Sequence, residues 1–145
     1  MELFWKNKTL GQLTPAQWEA LCDGCGRCCL QKLKNRTTGK VYYTWVACHL
    51  LNIETCRCDH YDLRHLLVPD CLELTPGNIA RLHWLPRTCA YRLVAAGHDL
   101  PPWHPLVSGT PETVHTAGIS IRQRAISEAY VHPDDVENFI MKKRF

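Results

Sequence analysis

The stretch CDGCGRCC, residues 22–29, places four cysteines within eight residues, two of them adjacent. Sulfur packed this tightly serves disulfides, catalysis or a metal. The chain carries nine cysteines, an odd number, so pairing into disulfides alone leaves one over. The opening residues, MELFWKNKTLGQL, have no continuous apolar core and no small-residue cleavage site, which argues against a secretory signal. A reducing cytoplasm is therefore the expected location, and it does not keep disulfides closed. Chance burial does not cluster thiols. Metal ligation is the reading that remains.

Cys22, Cys25 and Cys28 follow a Cys-x2-Cys-x2-Cys pattern, with Gly24 and Gly26 between them. A chain that wraps an ion must turn tightly to present successive sulfurs inward. Two-residue gaps and glycine permit that turn, and backbone N–H groups then donate to the sulfurs. Three ligands at this spacing are typical of iron–sulfur loops, whereas zinc sites use paired Cys-x2-Cys units. Cys29 adds an immediate fourth thiol, but adjacent side chains usually diverge, so all four are not expected on one ion. The other thiols are Cys48, Cys56, Cys58, Cys71 and Cys89. A tetrahedral zinc site and a four-iron cluster each take four thiolates, so eight thiols serve two sites and leave one over. Two zinc sites, a cluster with bridging thiolates, or one iron–sulfur cluster plus a zinc all satisfy this arithmetic. The expected cofactor is zinc or iron, with an iron–sulfur cluster among the options.

The remaining composition excludes several functions. Apolar residues make up 46% and charged residues 21% of the 145-residue chain, which is globular composition and suits one domain. The net charge of +3 is too mild to argue for a nucleic-acid or membrane partner. No apolar run approaches the roughly 20 residues of a membrane span. There is no phosphate-binding glycine loop, no nucleophile elbow and no His-Glu pair at helical spacing. No βαβ pattern surrounds the Cys-x2-Cys units, so a thioredoxin-like role has no support. Beside a metal-chelating protein, two alternatives stay open: an iron–sulfur redox or transferase enzyme with an open iron site, and a zinc-stapled partner-binding module. Among the histidines, His49 and His60 stand beside cysteines and His104 lies in the sequence WHP. Each reads first as a surface or capping residue and second as a ligand. Asp70 precedes Cys71 and suits either a turn cap or an orienting partner.

Four helices are expected. LTPAQWEAL has Thr14 at an N-cap, Pro15 at the first position and Gln17 at the capping-box position. LTPGNIARLHWL repeats the opening with Thr75 and Pro76, and Pro86 ends it. A third runs from about Cys89 to a stop at Gly97. A fourth runs through HPDDVENFIMKKRF, with Asp134 and Asp135 in its first turn and Lys142, Lys143 and Arg144 in its last. Strand composition marks residues 40–48, and residues 118–126 alternate briefly; the two are candidates to pair. Residues 97–115 are proline-rich and read as an ordered loop. The expected fold class is a small, loop-rich α+β fold, with short helices and a minor β-hairpin organised around a cysteine-ligated metal cluster. One domain is expected over residues 1–145, with a cysteine-rich part at 14–98 and a cysteine-free extension at 99–145.

Beyond spacing, the strings CDGCGRCC, TWVACHLLNIETCRCDHYDLR, VPDCLELTP, WLPRTCAYRL and WHPLVSG resemble the YcgN family of bacterial proteins. That family lies within the YkgJ-type cysteine-cluster proteins, described as a zinc- or iron-chelating domain. The resemblance covers essentially the whole chain and implies chelation without implying a particular reaction. A similar cluster occurs in flagellin lysine methylases. Cys58, Tyr61 and Arg64 match the family's Cys-x2-Tyr-x2-Arg motif, and Cys71 matches the cysteine that follows it. Cys22, Cys25, Cys28, Cys29 and Cys48 match the remaining cluster positions. Cys89 belongs to a segment of the YcgN branch, and Cys56 has no counterpart in shorter relatives, which makes it the candidate spare thiol. All nine cysteines stay in the candidate metal set.

Thiolates on one divalent ion leave net negative charge, and burying that charge requires cations. Arg27, Arg57, Arg64, Arg87 and Arg92 lie within a few residues of a cysteine. Arg64 and Arg92 are expected to bond beside the cofactor, while Arg27 reads as a surface residue.

Overall fold

The computed structural model describes residues 3–69, 71 and 73–141. In chain order its α-helices are α1 (Phe4–Asn7), α2 (Pro15–Ala20), α3 (Arg64–Leu67), α4 (Ala90–Ala95), α5 (Pro105–Ser108) and α6 (Thr113–Thr116). Its strands are β1 (Leu30–Lys34), β2 (Val41–Ala47), β3 (Leu51–Asn52), β4 (Arg57–Cys58) and β5 (Ile126–Ser127). This is a small, loop-rich α+β protein. No helix among the described residues is long and apolar enough to cross a membrane. The chain divides into two compact units, each assembled from two separate segments.

The described part of the first unit comprises residues 3–23 and 73–119. Its core is Trp5, Leu10, Leu21, Ile79, Leu85, Ala90, Tyr91 and Leu100. Helix α2 starts where the sequence places it, because Thr14 Oγ1 accepts the N–H of Gln17 at 3.1 Å and Gln17 Oε1 accepts the N–H of Thr14 at 3.0 Å. Helix α4 ends as expected at Gly97, whose φ of +79° suits a residue without Cβ. The N–H groups of Gly97 and His98 reach back to the carbonyls of Val94 and Leu93 at 3.0 and 2.8 Å. Tyr91 Oη donates to the Trp18 carbonyl at 2.6 Å and stacks on the Trp18 ring at 4.6 Å. His104 is fully buried; its Nδ1 accepts the N–H of Leu106 at 3.0 Å, which leaves Nε2–H to donate to the Leu21 carbonyl at 2.7 Å. The helix expected after Thr75 shrinks to a 3₁₀ turn at Ile79–Arg81. Gly77 lowers helix propensity there. The Asn78 side chain also takes the backbone of Thr75 and Glu73 as partners.

The second unit's described residues are 24–69, 71 and 120–141. Strands β1 and β2 form an antiparallel hairpin whose register shifts between Leu30 and Lys32. Its turn is closed by Asn35, whose Oδ1 accepts the N–H groups of Thr37 and Thr38. The pairing anticipated between the two strand-like segments occurs at their ends: β2 runs parallel to β5, with Val46 opposite Ile126 and Ala47 opposite Ser127. Residues 119–125 are not strand. Gln123 sits at φ +64° and the N–H groups of Arg124 and Ala125 turn back onto the Ile121 carbonyl. Strands β3 and β4 make a second small hairpin. Leu30, Ala47, Leu51, Cys56, Ile121 and Met141 form the core. The expected fourth α-helix is a 3₁₀ run, Pro133–Phe139, beyond which Ile140 bridges Thr44. Asp70, Lys142, Lys143 and Arg144 lie outside the described residues.

Candidate metal centre

The motif at residues 22–29 folds as its glycines dictate. Gly24 and Gly26 adopt φ of +79° and +76°. A Cβ on Gly26 would stand 2.8 Å from Ile121 Cγ1, and one on Gly24 would stand 2.8 Å from Arg57 Nη2. The turn passes into a 3₁₀ segment, Arg27–Cys29, and then into β1. Cys25 is buried and its Sγ accepts the N–H of Arg27 at 3.5 Å. Arg27 itself is buried, against the surface position expected for it.

None of the nine cysteines forms a disulfide. Five of them converge in the second unit. The Cys28 and Cys29 thiols share a hydrogen bond, so these neighbours do not diverge as adjacent side chains usually do. Cys48 enters beside them because its N–H donates to the Cys29 carbonyl at 2.9 Å. Cys58 is delivered by β4 and Cys71 follows α3, anchored by its N–H to the Val68 carbonyl at 2.9 Å. The electrostatics tie all five together. The Cys29 thiol is pushed far up by its hydrogen bond with Cys28, by burial, and by negative charge at Cys28, Cys48 and Cys71. Burial pushes Cys48 up, and Glu128, Cys71 and Cys58 add to the effect. Burial also raises Cys71, with Cys58 and Cys28 adding and Arg64 opposing.

Two cations border the group. Arg64 hydrogen-bonds Cys71, donates to the Tyr61 carbonyl at 2.6 Å and lies 3.8 Å over the Tyr61 ring. Lys32 Nζ donates to the carbonyls of Cys28 and Leu30 at 2.9 and 2.7 Å. Burial lowers its pKa, and the Cys28 and Cys29 sulfurs oppose that shift. Lys32 was not among the residues the sequence singled out. Its signal was present, a cation three residues beyond Cys29.

The other expected site residues stand elsewhere. Cys56 has φ +60° and is buried in the second unit's core, where its thiol meets Ser120, Arg122 and the backbone of Ile121 and Arg122. Cys22 and Cys89 pack against the first unit's core. Arg92, also in the first unit, donates to the carbonyls of Leu85 and His83 at 2.6 and 3.3 Å. His104 is a structural cap.

Sequence reasoning missed Glu128. Its Oε2 lies 2.8 Å from His49 Nδ1 and accepts the His49 N–H at 2.7 Å, while Oε1 accepts Gln31 Nε2–H at 2.9 Å. Burial would raise its pKa, but these His49 and Gln31 contacts outweigh it and hold the carboxylate below its usual value. Ligand atoms of Cys48, His49 and Glu128 all lie within 4.8 Å of one another. No local pattern betrays a contact across 79 residues.

The donors gathered here, thiolates with an imidazole and a carboxylate at the margin, are those that zinc and iron take. Ionising several neighbouring thiols is disfavoured by mutual repulsion, and a bound dication removes that penalty.

Comparison with known proteins agrees with this chemistry. The family model described as "CxxCxxCC: Putative zinc- or iron-chelating domain" matches residues 21–90. A UPF0260 protein of Azotobacter vinelandii is 55% identical over 141 residues, covering 97% of this chain and 95% of the relative. A UPF0260 protein of Rhizobium etli is 54% identical over 138 residues, covering 95% and 87%. One from Sinorhizobium fredii is 54% identical over 138 residues, covering 95% and 89%. No solved structure matches the chain. At this identity over nearly its full length, the chain belongs to the UPF0260 family.

Proposed function

We propose that this protein is a cytoplasmic metal-binding protein whose second unit holds zinc or iron on cysteine thiolates. The observation that carries this reading is the convergence of Cys28, Cys29, Cys48, Cys58 and Cys71, which arrive from four separate stretches of chain. Thiols that serve only as small apolar side chains have no reason to gather beside a guanidinium and an ammonium group. Cys22 and Cys25 remain in the ligand set on their sequence spacing, and Cys89 on the resemblance of its segment to the YcgN branch. Cys56 is the spare thiol, since its neighbours are Ser120 and Arg122. Arg64 and Lys32 offset the negative charge that thiolates leave on a divalent ion. The resemblance of the wider motif string supports assigning the chain to the YcgN branch.

Metal binding to thiols releases protons and adds to folding free energy. Anaerobic purification, elemental analysis and an absorption spectrum test the reading. Zinc in whole-number stoichiometry gives a colourless protein, and an iron–sulfur cluster gives a brown one. Cys58→Ser is expected to lower metal content and stability together, while Cys56→Ser keeps the metal. Equal metal content in both variants refutes the ligand assignment.

A further inference from the structure

We propose that Cys48, His49 and Glu128 form a mixed-ligand site for a divalent zinc or iron ion, which gives the centre a nitrogen and an oxygen ligand beside its sulfurs. This rests on the thiolate centre proposed above and specifies its coordination.

The site is built by strand register. Strand β2 pairs in parallel with β5, Val46 to Ile126 and Ala47 to Ser127, so the next pair in line is Cys48 and Glu128. Their ligand atoms and that of His49 lie within 4.8 Å of one another, close enough to share one ion. The carboxylate is held from two sides. The His49 N–H donates to Oε2 at 2.7 Å, and Gln31 Nε2–H donates to Oε1 at 2.9 Å. Gln31 reaches it from the position where β1 shifts register against β2, a place where a strand commonly re-aims a side chain. Ser127 Oγ accepts the Ala129 N–H at the start of the 3₁₀ turn, Glu128–Tyr130, and so fixes the backbone that carries the carboxylate.

The 2.8 Å contact between His49 Nδ1 and Glu128 Oε2 is bridged by one proton. The Cys48 sulfur lies within 4.8 Å of both partners of that hydrogen bond, so all three donors can reach one ion once the proton between His49 and Glu128 has moved. A divalent ion entering there releases the Cys48 thiol proton to solvent, and the proton on Nδ1 of a neutral His49 moves to Nε2. That leaves a neutral imidazole, a carboxylate and a thiolate as donors. The His49 and Glu128 side chains are 49% and 32% exposed, so an ion held here has an open path for a further ligand. Four-thiolate sites are closed and structural, whereas sites with fewer protein ligands admit water or substrate.

The test uses the full chain, purified anaerobically with reduced thiols, and zinc alone as the probe. X-ray absorption fine structure separates sulfur at about 2.3 Å from nitrogen and oxygen at about 2.0–2.1 Å. The wild type is expected to show both shells, with imidazole scattering. Glu128→Gln and His49→Gln are each expected to lose nitrogen or oxygen scattering and to weaken zinc binding by about tenfold or more. Circular dichroism checks folding. If Glu128→Gln misfolds, His49→Gln at its half-exposed position carries the test. Zinc surrounded by sulfur alone, or both variants binding as the wild type does, overturns the mixed site. If Cys58→Ser still weakens zinc under that outcome, the thiolate centre survives the loss. A wild type that binds no more zinc than a chain with alkylated cysteines ends both proposals.

Discussion

The two units solve the same problem by different means. The first encloses tryptophan, tyrosine and leucine side chains and closes its short helices with local caps. The second has a smaller apolar core of Leu30, Ala47, Leu51, Cys56, Ile121 and Met141, two small hairpins, and five neighbouring thiols. Where thiols gather, metal ligation is a further source of stability, as it is in small domains. The first unit rests on its apolar core, while on the function proposed above the second is completed by what its sulfurs bind.

Metal removal should split the two most widely. Structural zinc contributes on the order of 10–16 kcal/mol in zinc-finger peptides, comparable with the whole stability of an ordinary domain. A strong chelator is therefore expected to abolish amide-exchange protection across β1 to β4 while α2 and α4 keep theirs. Site-resolved hydrogen exchange measures it. Equal protection in both units after complete metal removal breaks the contrast.

Glycine substitutions sharpen it. Gly26 and Gly97 have nearly the same left-handed backbone, at φ +76° and +79°. Around Gly97 nothing lies within 4 Å of an added Cβ, whereas at Gly26 that atom meets Ile121 at 2.8 Å and Cys56 at 3.2 Å. Gly97→Ala then costs only the conformational strain, about 1–2 kcal/mol. Gly26→Ala adds overpacking of about 1–3 kcal/mol to that strain and displaces the turn that presents Cys28 and Cys29. Denaturant melts of both variants, with metal content, give the comparison. Equal losses in stability and metal would show that the motif tolerates a side chain.

How far the sequence reveals each unit follows from the range of its determinants. Thr14, Gln17 and Gly97 act within a few residues of themselves, so α2 and the end of α4 are readable from spacing. The cysteine motif is readable for the same reason. Strand β1 reads LQKLK, with too few apolar residues to declare itself, and it is a strand because β2 pairs with it. Glu128 and Gln31 meet across 97 residues, and only strand order brings them together. The helix expected after Thr75 fails locally, where Gly77 and Asn78 outweigh the opening signal of Thr75 and Pro76. The last segment reads as an α-helix by charge, but Ile140 and Met141 are drawn into pairing with Thr44 and Tyr43. Cys48 and Glu128, proposed above as metal ligands, lie at the ends of such long-range pairings.

His104 offers a pH-dependent separation of the units. Burial disfavours its imidazolium, outweighing the hydrogen bond to the Leu21 carbonyl and the charge of Asp23, and its pKa falls below the usual value. The unfolded chain then binds a proton more readily than the folded one. The first unit's stability is therefore complete above about pH 6.5 and declines as pH falls through that value toward the lower folded one. His104→Leu leaves the Leu21 carbonyl and the Leu106 N–H unpaired, at a cost of about 1–3 kcal/mol for each buried group. The variant should also lose this acid sensitivity. Thermal melts between pH 7.5 and 5.5, approximately the range over which a histidine titrates, check both effects. An unchanged pH slope in the variant would move the acid-sensitive group elsewhere.

The smallest expected effect lies at the surface of the first unit. Thr14→Ala removes an oxygen that accepts one exposed N–H, and caps of this kind contribute about 1 kcal/mol. Because no thiol takes part, the loss should appear as a small fall in melting temperature with metal content and the metal absorption spectrum unchanged. A Thr14→Ser variant keeps the acceptor and should recover most of the loss. If Thr14→Ala instead released metal, the first unit's local caps and the second unit's sulfur chemistry would be coupled. The contrast between the two units would then have to be abandoned, since a single exposed hydrogen bond is too weak to act on a thiolate centre except through a shared folding transition.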